Sequence, residues 1–128
     1  QAFHIREAME LMLKTGADSV LSVAEIPVHF SPWKAMVIDA RGILTLVNGD
    51  PVKKRVARRQ DQPKAYWSTT AMYLFKTKLL FDKEEPNFYG ETVVPYIMDP
   101  RYVVDIDVPA DWEEAERAMQ KLLNEKRA

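Results

Sequence analysis

The most constraining feature of this chain is a change of period near its start. From Phe3 to Lys14 the apolar residues Ile5, Ala8, Met9 and Met12 recur at helical spacing, with Arg6, Glu7 and Glu10 on the other side. Thr15-Gly16 closes that helix, since glycine tolerates the left-handed backbone that commonly ends one. Three residues later, Ser19 to Val23 is a short apolar run of strand type. A helix feeding directly into a buried strand is the step from which α/β layers are built.

The remaining chain supplies parts for the same layer. Pro27, His29 and Pro32 mark an irregular loop. Ala35 to Asp39 and Ile43 to Val47 read as two short strands joined at Ala40-Arg41-Gly42, a hairpin. Residues 48 to 63 (NGDPVKKRVARRQDQP) carry five basic residues and two prolines with little apolar periodicity, which predicts an exposed excursion. Tyr66 to Phe75 is aromatic and β-branched, a strand, and Thr77 to Lys83 has the length of a short helix. Thr92 to Met98 and Tyr102 to Ile106 are further strand candidates, separated by Asp99-Pro100. A closing helix places Trp112, Ala115, Met119 and Leu122 on one stripe. Three helices and about six strands predict an α/β domain, a mixed sheet with flanking helices. A small hairpin and basic-loop excursion spans 35–63 within the single domain 1–128.

Composition excludes several chemistries. The 128 residues hold no cysteine, so a disulfide framework, a zinc-thiolate centre and a thiol nucleophile are ruled out. With 18 basic against 19 acidic residues there is no global charge to suggest a nucleic-acid or membrane partner. No apolar run approaches the roughly 20 residues of a membrane span, and a cytoplasmic setting is expected. The four glycines, at 16, 42, 49 and 90, are not clustered, so no glycine-rich phosphate loop is present. His4 and His29 lack a second ligand at metal spacing and read as structural, and no serine can be placed beside a histidine. The opening at Gln1, already inside a helical pattern, suggests part of a longer domain.

Asp105 and Asp107 stand two apart at the end of the apolar run Val103 to Ile106. If that run is a strand, both carboxylates project from one face about 6 to 7 Å apart, a spacing suited to a shared hydrated divalent cation. Locally, solvated turn residues are the more natural account.

Three segments together resemble the cytidylyltransferases that make CMP-activated acidic sugars, the acylneuraminate (CMP-sialic acid) synthetases and their CMP-Kdo relatives. HIREAMELM leading into ADSVLSV is similar to a helix and strand of that family. RRQDQP followed by AMYLF is similar to its RQ-x-x-P stretch and Asn-Gly-Ala-Ile-Tyr strand, and VVDID to its DID motif. The resemblance implies the C-terminal half of a nucleotide-diphospho-sugar transferase-like fold, with the N-terminal nucleotide-binding half outside this sequence. It implies transfer of CMP from CTP to the anomeric hydroxyl of an acidic keto sugar, with release of pyrophosphate and a requirement for Mg²⁺. Asp105 and Asp107 match the metal-holding pair. Arg59 matches the RQ-x-x-P arginine and would offer a planar fork to a carboxylate or phosphate. Lys34, in Ser-Pro-Trp-Lys, matches a lysine near the sugar, and Tyr73 the strand tyrosine. The family's Asn-Gly is Thr69-Thr70 here, a β-branched residue where a backbone needs room. The family places such a loop and the preceding hairpin at a dimer contact, so the resemblance implies a homodimer.

On this reading the chain alone is inactive, binding CTP and the acidic sugar only with the N-terminal half, and exposed sheet edge and apolar surface favour self-association. The alternative is a non-catalytic dimerisation or binding module derived from the same fold.

Overall fold

The structure, a computed structural model, describes residues 1–56 and 58–125, and of Arg59 the backbone alone. The chain forms two compact units. One is Gln1–Ala24 with the chain from Ser68 onward, and the other is Glu25–Trp67.

The first unit is built on a three-stranded mixed sheet and two α-helices. Helix α1 (Ala2–Thr15) ends as its sequence requires: Gly16 adopts φ 69° and its N–H donates to Met12 O. Strand β1 (Ser19–Glu25) lies at the sheet's centre, between β4 (Tyr66–Phe75) and β5 (Val93–Ile97). β1 and β5 are parallel, from Ser19 opposite Val93 to Val23 opposite Ile97. β4 runs antiparallel to β1: the Lys76 N–H donates to Asp18 O, and further along Ser22 Oγ is bonded to Met72. Because β1 is central, both its faces are covered, and Ser19, Val20, Ser22, Val23 and Ala24 are all buried. Ala8 and Ala17 from the helical side, Met98 after β5 and Leu122 from helix α2 (Pro109–Glu125) complete a core of mostly small side chains.

Helix α1 packs on β5, but not by the stripe its apolar residues suggest. His4 and Ala8 are buried, while Ile5 and Met9 are 56% and 50% exposed, so the inward face is turned by about one residue. The reason is polar: His4 Nδ1 lies 2.9 Å from the Tyr96 hydroxyl of β5. The same occurs on α2, where Leu122 is buried and Trp112 and Met119 are exposed.

Two expected elements differ. Residues 102–106 form no strand: a 3-10 turn, Pro100–Tyr102, is started by the Asp99 carboxylate accepting the Arg101 N–H, and the following segment is irregular up to α2. A strand exists only when it pairs, and this apolar run has no neighbouring strand among the described residues. Thr77–Phe81 is 3-10 and not α, which leaves two α-helices where three were expected.

In the second unit, β2 (Met36–Ile38) and β3 (Leu44–Leu46) form the anticipated antiparallel hairpin. Asp39 Oδ1 accepts the Arg41 and Ile43 N–H groups, and Gly42 takes φ 78° to turn the chain. The Trp33 indole donates to Pro63 O, and Lys64 pairs with Glu25 at 2.8 Å. Among the described residues no helix is long and apolar enough to cross a membrane.

Candidate functional site

Within strand β4, Thr70 takes a φ of 54°. A β-branched residue in the left-handed region is a strained arrangement, and a positive φ within a strand is what a glycine supplies at a bulge. Thr70 thus holds a backbone conformation that a glycine would take without strain. Thr69, one residue earlier, is buried, and its hydroxyl donates to Ser22 Oγ at 2.8 Å. That side chain is committed to the interior.

Beyond the bulge, Tyr73 enters an aromatic cluster. Its ring meets Phe88 at 6.0 Å and Tyr89 at 6.3 Å, both edge-on, and Phe75 lies 5.8 Å from Phe88. The 87–90 turn that carries two of these rings is held from several sides. Asn87 Oδ1 accepts the Tyr89 and Gly90 N–H groups, and Ser19 Oγ donates to Tyr89 O at 2.6 Å. Next to it, the Asp18 carboxylate accepts from Lys76 Nζ and from Thr92, and these contacts, led by the Lys76 bond, hold its pKa down to about 2. Tyr73, Phe88 and Tyr89 remain partly exposed, an aromatic surface of mutually tilted rings with two phenol hydroxyls. In sequence Tyr89 is an aromatic beside the turn glycine Gly90, and the neighbour such a turn faces depends on β4, which local turn chemistry does not specify.

Asp105 and Asp107 lie in the irregular stretch ahead of α2, eight and ten residues after β5 ends at Ile97. Both are exposed, and among the described residues neither carboxylate takes a hydrogen bond or ion pair. The backbone here is ordered from the helix: Asp111 Oδ2 accepts the N–H groups of Asp107 and Val108, each at 2.9 Å, capping the start of α2. Since the segment is not a strand, the alternation that set both carboxylates on one face does not operate. Among the described residues no group of three or more His, Cys, Asp or Glu gathers in a metal-binding cluster. Two free carboxylates are still the donor type a hard cation takes. The rest of its shell has to come from water or a phosphate-bearing ligand.

The two basic candidates belong to the second unit. Lys34 closes a 3-10 turn, Pro32–Lys34, and is partly buried. Arg59 opens a 3-10 turn, Arg59–Asp61, and its side chain lies outside the described residues. Around them Lys53, Arg55 and Arg58 are exposed, and Lys54 pairs with Asp50.

Fold and site together define an α/β protein whose sheet carries an aromatic surface and whose last helix is preceded by two unpaired aspartates. No family model matches the chain. Curated relatives do. N-acylneuraminate cytidylyltransferase A of Danio rerio is 34% identical over 114 residues, which cover 89% of this chain and 25% of that protein. N-acylneuraminate cytidylyltransferase of Oncorhynchus mykiss is 31% identical over 115 residues, 90% of this chain and 25% of the relative. The chain is thus similar to N-acylneuraminate cytidylyltransferases over nearly its whole length, and it spans about a quarter of the length of these relatives.

Proposed function

We propose that this chain is the metal- and sugar-binding portion of a nucleotidyltransferase that moves CMP from CTP to an acidic keto sugar of acylneuraminate type, releasing pyrophosphate. The observation that carries the reading is the match across nearly the whole chain to cytidylyltransferases. Beside it stand two exposed aspartates, Asp105 and Asp107, in the stretch that resembles the family's DID motif. In the complete enzyme Asp105 and Asp107 would hold Mg²⁺, which when bound neutralises phosphate charge and orients a hydroxyl. Tyr73, with Phe88 and Tyr89, offers the sugar a partly exposed aromatic wall. Lys34 and Arg59 supply cations for a sugar carboxylate or a phosphate, the arginine as a bidentate fork. No residue of this chain is assigned as a general base. The fold is read as part of a nucleotide-diphospho-sugar transferase domain, with the CTP-phosphate loop contributed by the N-terminal half.

The hairpin supports the accompanying homodimer. Val37, Ile38, Ile43, Leu44 and Val47 are all exposed on a two-stranded element with little core of its own. The same surface favours the second reading, a dimerisation module without catalysis. Pyrophosphate release with CTP, Mg²⁺ and N-acylneuraminate separates the two. The assay compares this chain with a longer protein that also carries the N-terminal half. The longer protein is expected to turn over, and Asp105→Asn or Asp107→Asn in it to lose on the order of 10²-fold or more in kcat/KM. Activity within a few-fold of the parent in both variants refutes the metal assignment.

A further inference from the structure

The polar contacts between α1 and β5 form a chain. The Tyr96 hydroxyl donates to Glu7 Oε2, and the His4 imidazole meets the same hydroxyl through Nδ1 at 2.9 Å. A phenol has one proton to give and an ionised carboxylate only accepts, so the Tyr96 proton lies toward Glu7. The phenol oxygen must then accept from His4 Nδ1–H. Burial first, then the bond to and charge of Glu7, push the Tyr96 phenol up to about 12, so it keeps its proton. The network therefore assigns His4 a single neutral tautomer, N–H on Nδ1 and a lone pair on Nε2.

That Nε2 is buried with no hydrogen-bond partner among the described residues. His4 as a whole is only 7% exposed. Its ring is wedged between Phe3, at 4.0 Å, and Tyr102, edge-on at 4.7 Å. We infer that His4 is a proton-operated latch: protonation places an N–H on Nε2 where the described residues offer no acceptor and releases the first turns of α1 from β5.

The surroundings favour the neutral ring. On its own helix His4 faces Glu7, which favours the charged form, and the chain's amino terminus, which opposes it. β5 presents Tyr96, and the turn after β5 presents Tyr102 and Arg101, the latter held by Asp99 and Glu125. Where α2 and β4 border the adjoining cavity of about 690 Å³ they contribute Ala115, Met119, Leu122 and Met72, none of which titrates. Burial, the largest cause, outweighs Glu7 and holds the imidazole below its ordinary value. The sign follows. A depressed folded-state pKa gives stability that is complete above the unfolded value, about 6.5, and is lost as pH falls toward the folded one. Because Ala2, His4 and Ile5 form part of the cavity wall, release of this turn also opens the cavity.

Hydrogen exchange of the α1 amides, read by NMR on the full chain at pH 7 and pH 5 and corrected for intrinsic rates, tests the latch. Protection at Ala8 and Leu11 is expected to be lower at pH 5 than at pH 7, because the imidazole is held below its ordinary value in the folded chain. It should be flat in His4→Phe, which keeps the ring contacts without a titrating proton, and in His4→Gln should the first variant fold poorly. Long-range proton–nitrogen spectra at pH 7 should show the proton on Nδ1. A proton on Nε2 overturns the inference. So does unchanged α1 protection across the His4 titration, or the same fall in a folded His4 variant.

Discussion

Thr70 offers a direct measure of how much strain this fold tolerates in β4. At φ 54° it is the one non-glycine residue among those described with a positive φ. For an L-residue that region costs about 1–2 kcal/mol, and β-branching places Thr70 toward the upper end. Thr70→Gly removes the clash but frees the unfolded chain, which returns about 0.4–1 kcal/mol to the unfolded side. It also loses the bond from Thr70 Oγ1 to Thr69 O, worth about 0.5 kcal/mol at an exposed position. The net is a stabilisation of roughly 0–1 kcal/mol. Thr70→Asn keeps a side chain that tolerates the left-handed region and avoids the entropy penalty, so it should gain about 0.5–1 kcal/mol. Thr70→Val keeps the branching, drops the hydroxyl and should lose about 0.5–1 kcal/mol. Urea unfolding followed by far-UV circular dichroism, with midpoints compared at constant m, resolves the expected Asn-to-Val spread. A valine variant as stable as the parent, or a glycine variant destabilised by more than about 1 kcal/mol, refutes the assignment of strain.

Three further tests concern the first unit. Gly90→Ala would set its Cβ 2.5 Å from Asp18 Cβ at a φ of 69°, and should cost about 2–4 kcal/mol in the same assay. Gly16→Ala meets nothing within 4 Å and should cost only about 1 kcal/mol. Ser22→Ala leaves the Met72 N–H and the Thr69 hydroxyl without their buried partner and should cost about 1–3 kcal/mol, while adding Thr69→Val should cost less than the sum of the two single changes. Asp18, held down to about 2 chiefly by its bond from Lys76, contributes stability that is complete above the unfolded carboxylate value near 4. That contribution is lost as pH falls toward 2. Stability measured across that window should fall less steeply in Asp18→Asn, with the Asp99–Arg101 pair, depressed over the same range, left in place.

The elements legible in the sequence are those whose periodicity and punctuation agree. β4 occupies Tyr66–Phe75 as its β-branched and aromatic composition predicts, and α1 ends at the glycine that names its stop. The hairpin follows from two apolar runs around Gly42. What failed was whatever depended on a neighbour. Val103 to Ile106 has strand composition and no strand to pair with, so the distance inferred for Asp105 and Asp107 from strand alternation loses its basis. The candidate site was legible as motifs, through Asp105, Asp107 and Tyr73. The gathering of Tyr73 with Phe88 and Tyr89 was not, since 15 residues of chain separate Tyr73 from Phe88.

By itself the sequence determined where helix and strand change over, because backbone conformation answers to residues a few positions away. It also determined the kinship with cytidylyltransferases, carried by short motifs in a set order. Only the tertiary structure decided which side of each helix is inward. On α1 the apolar stripe gives way to His4 because Tyr96, 92 residues distant, offers a partly buried oxygen that an imidazole N–H can reach. A side chain's burial depends on the partner it finds, and that partner exists only once the sheet has brought β5 beside β1.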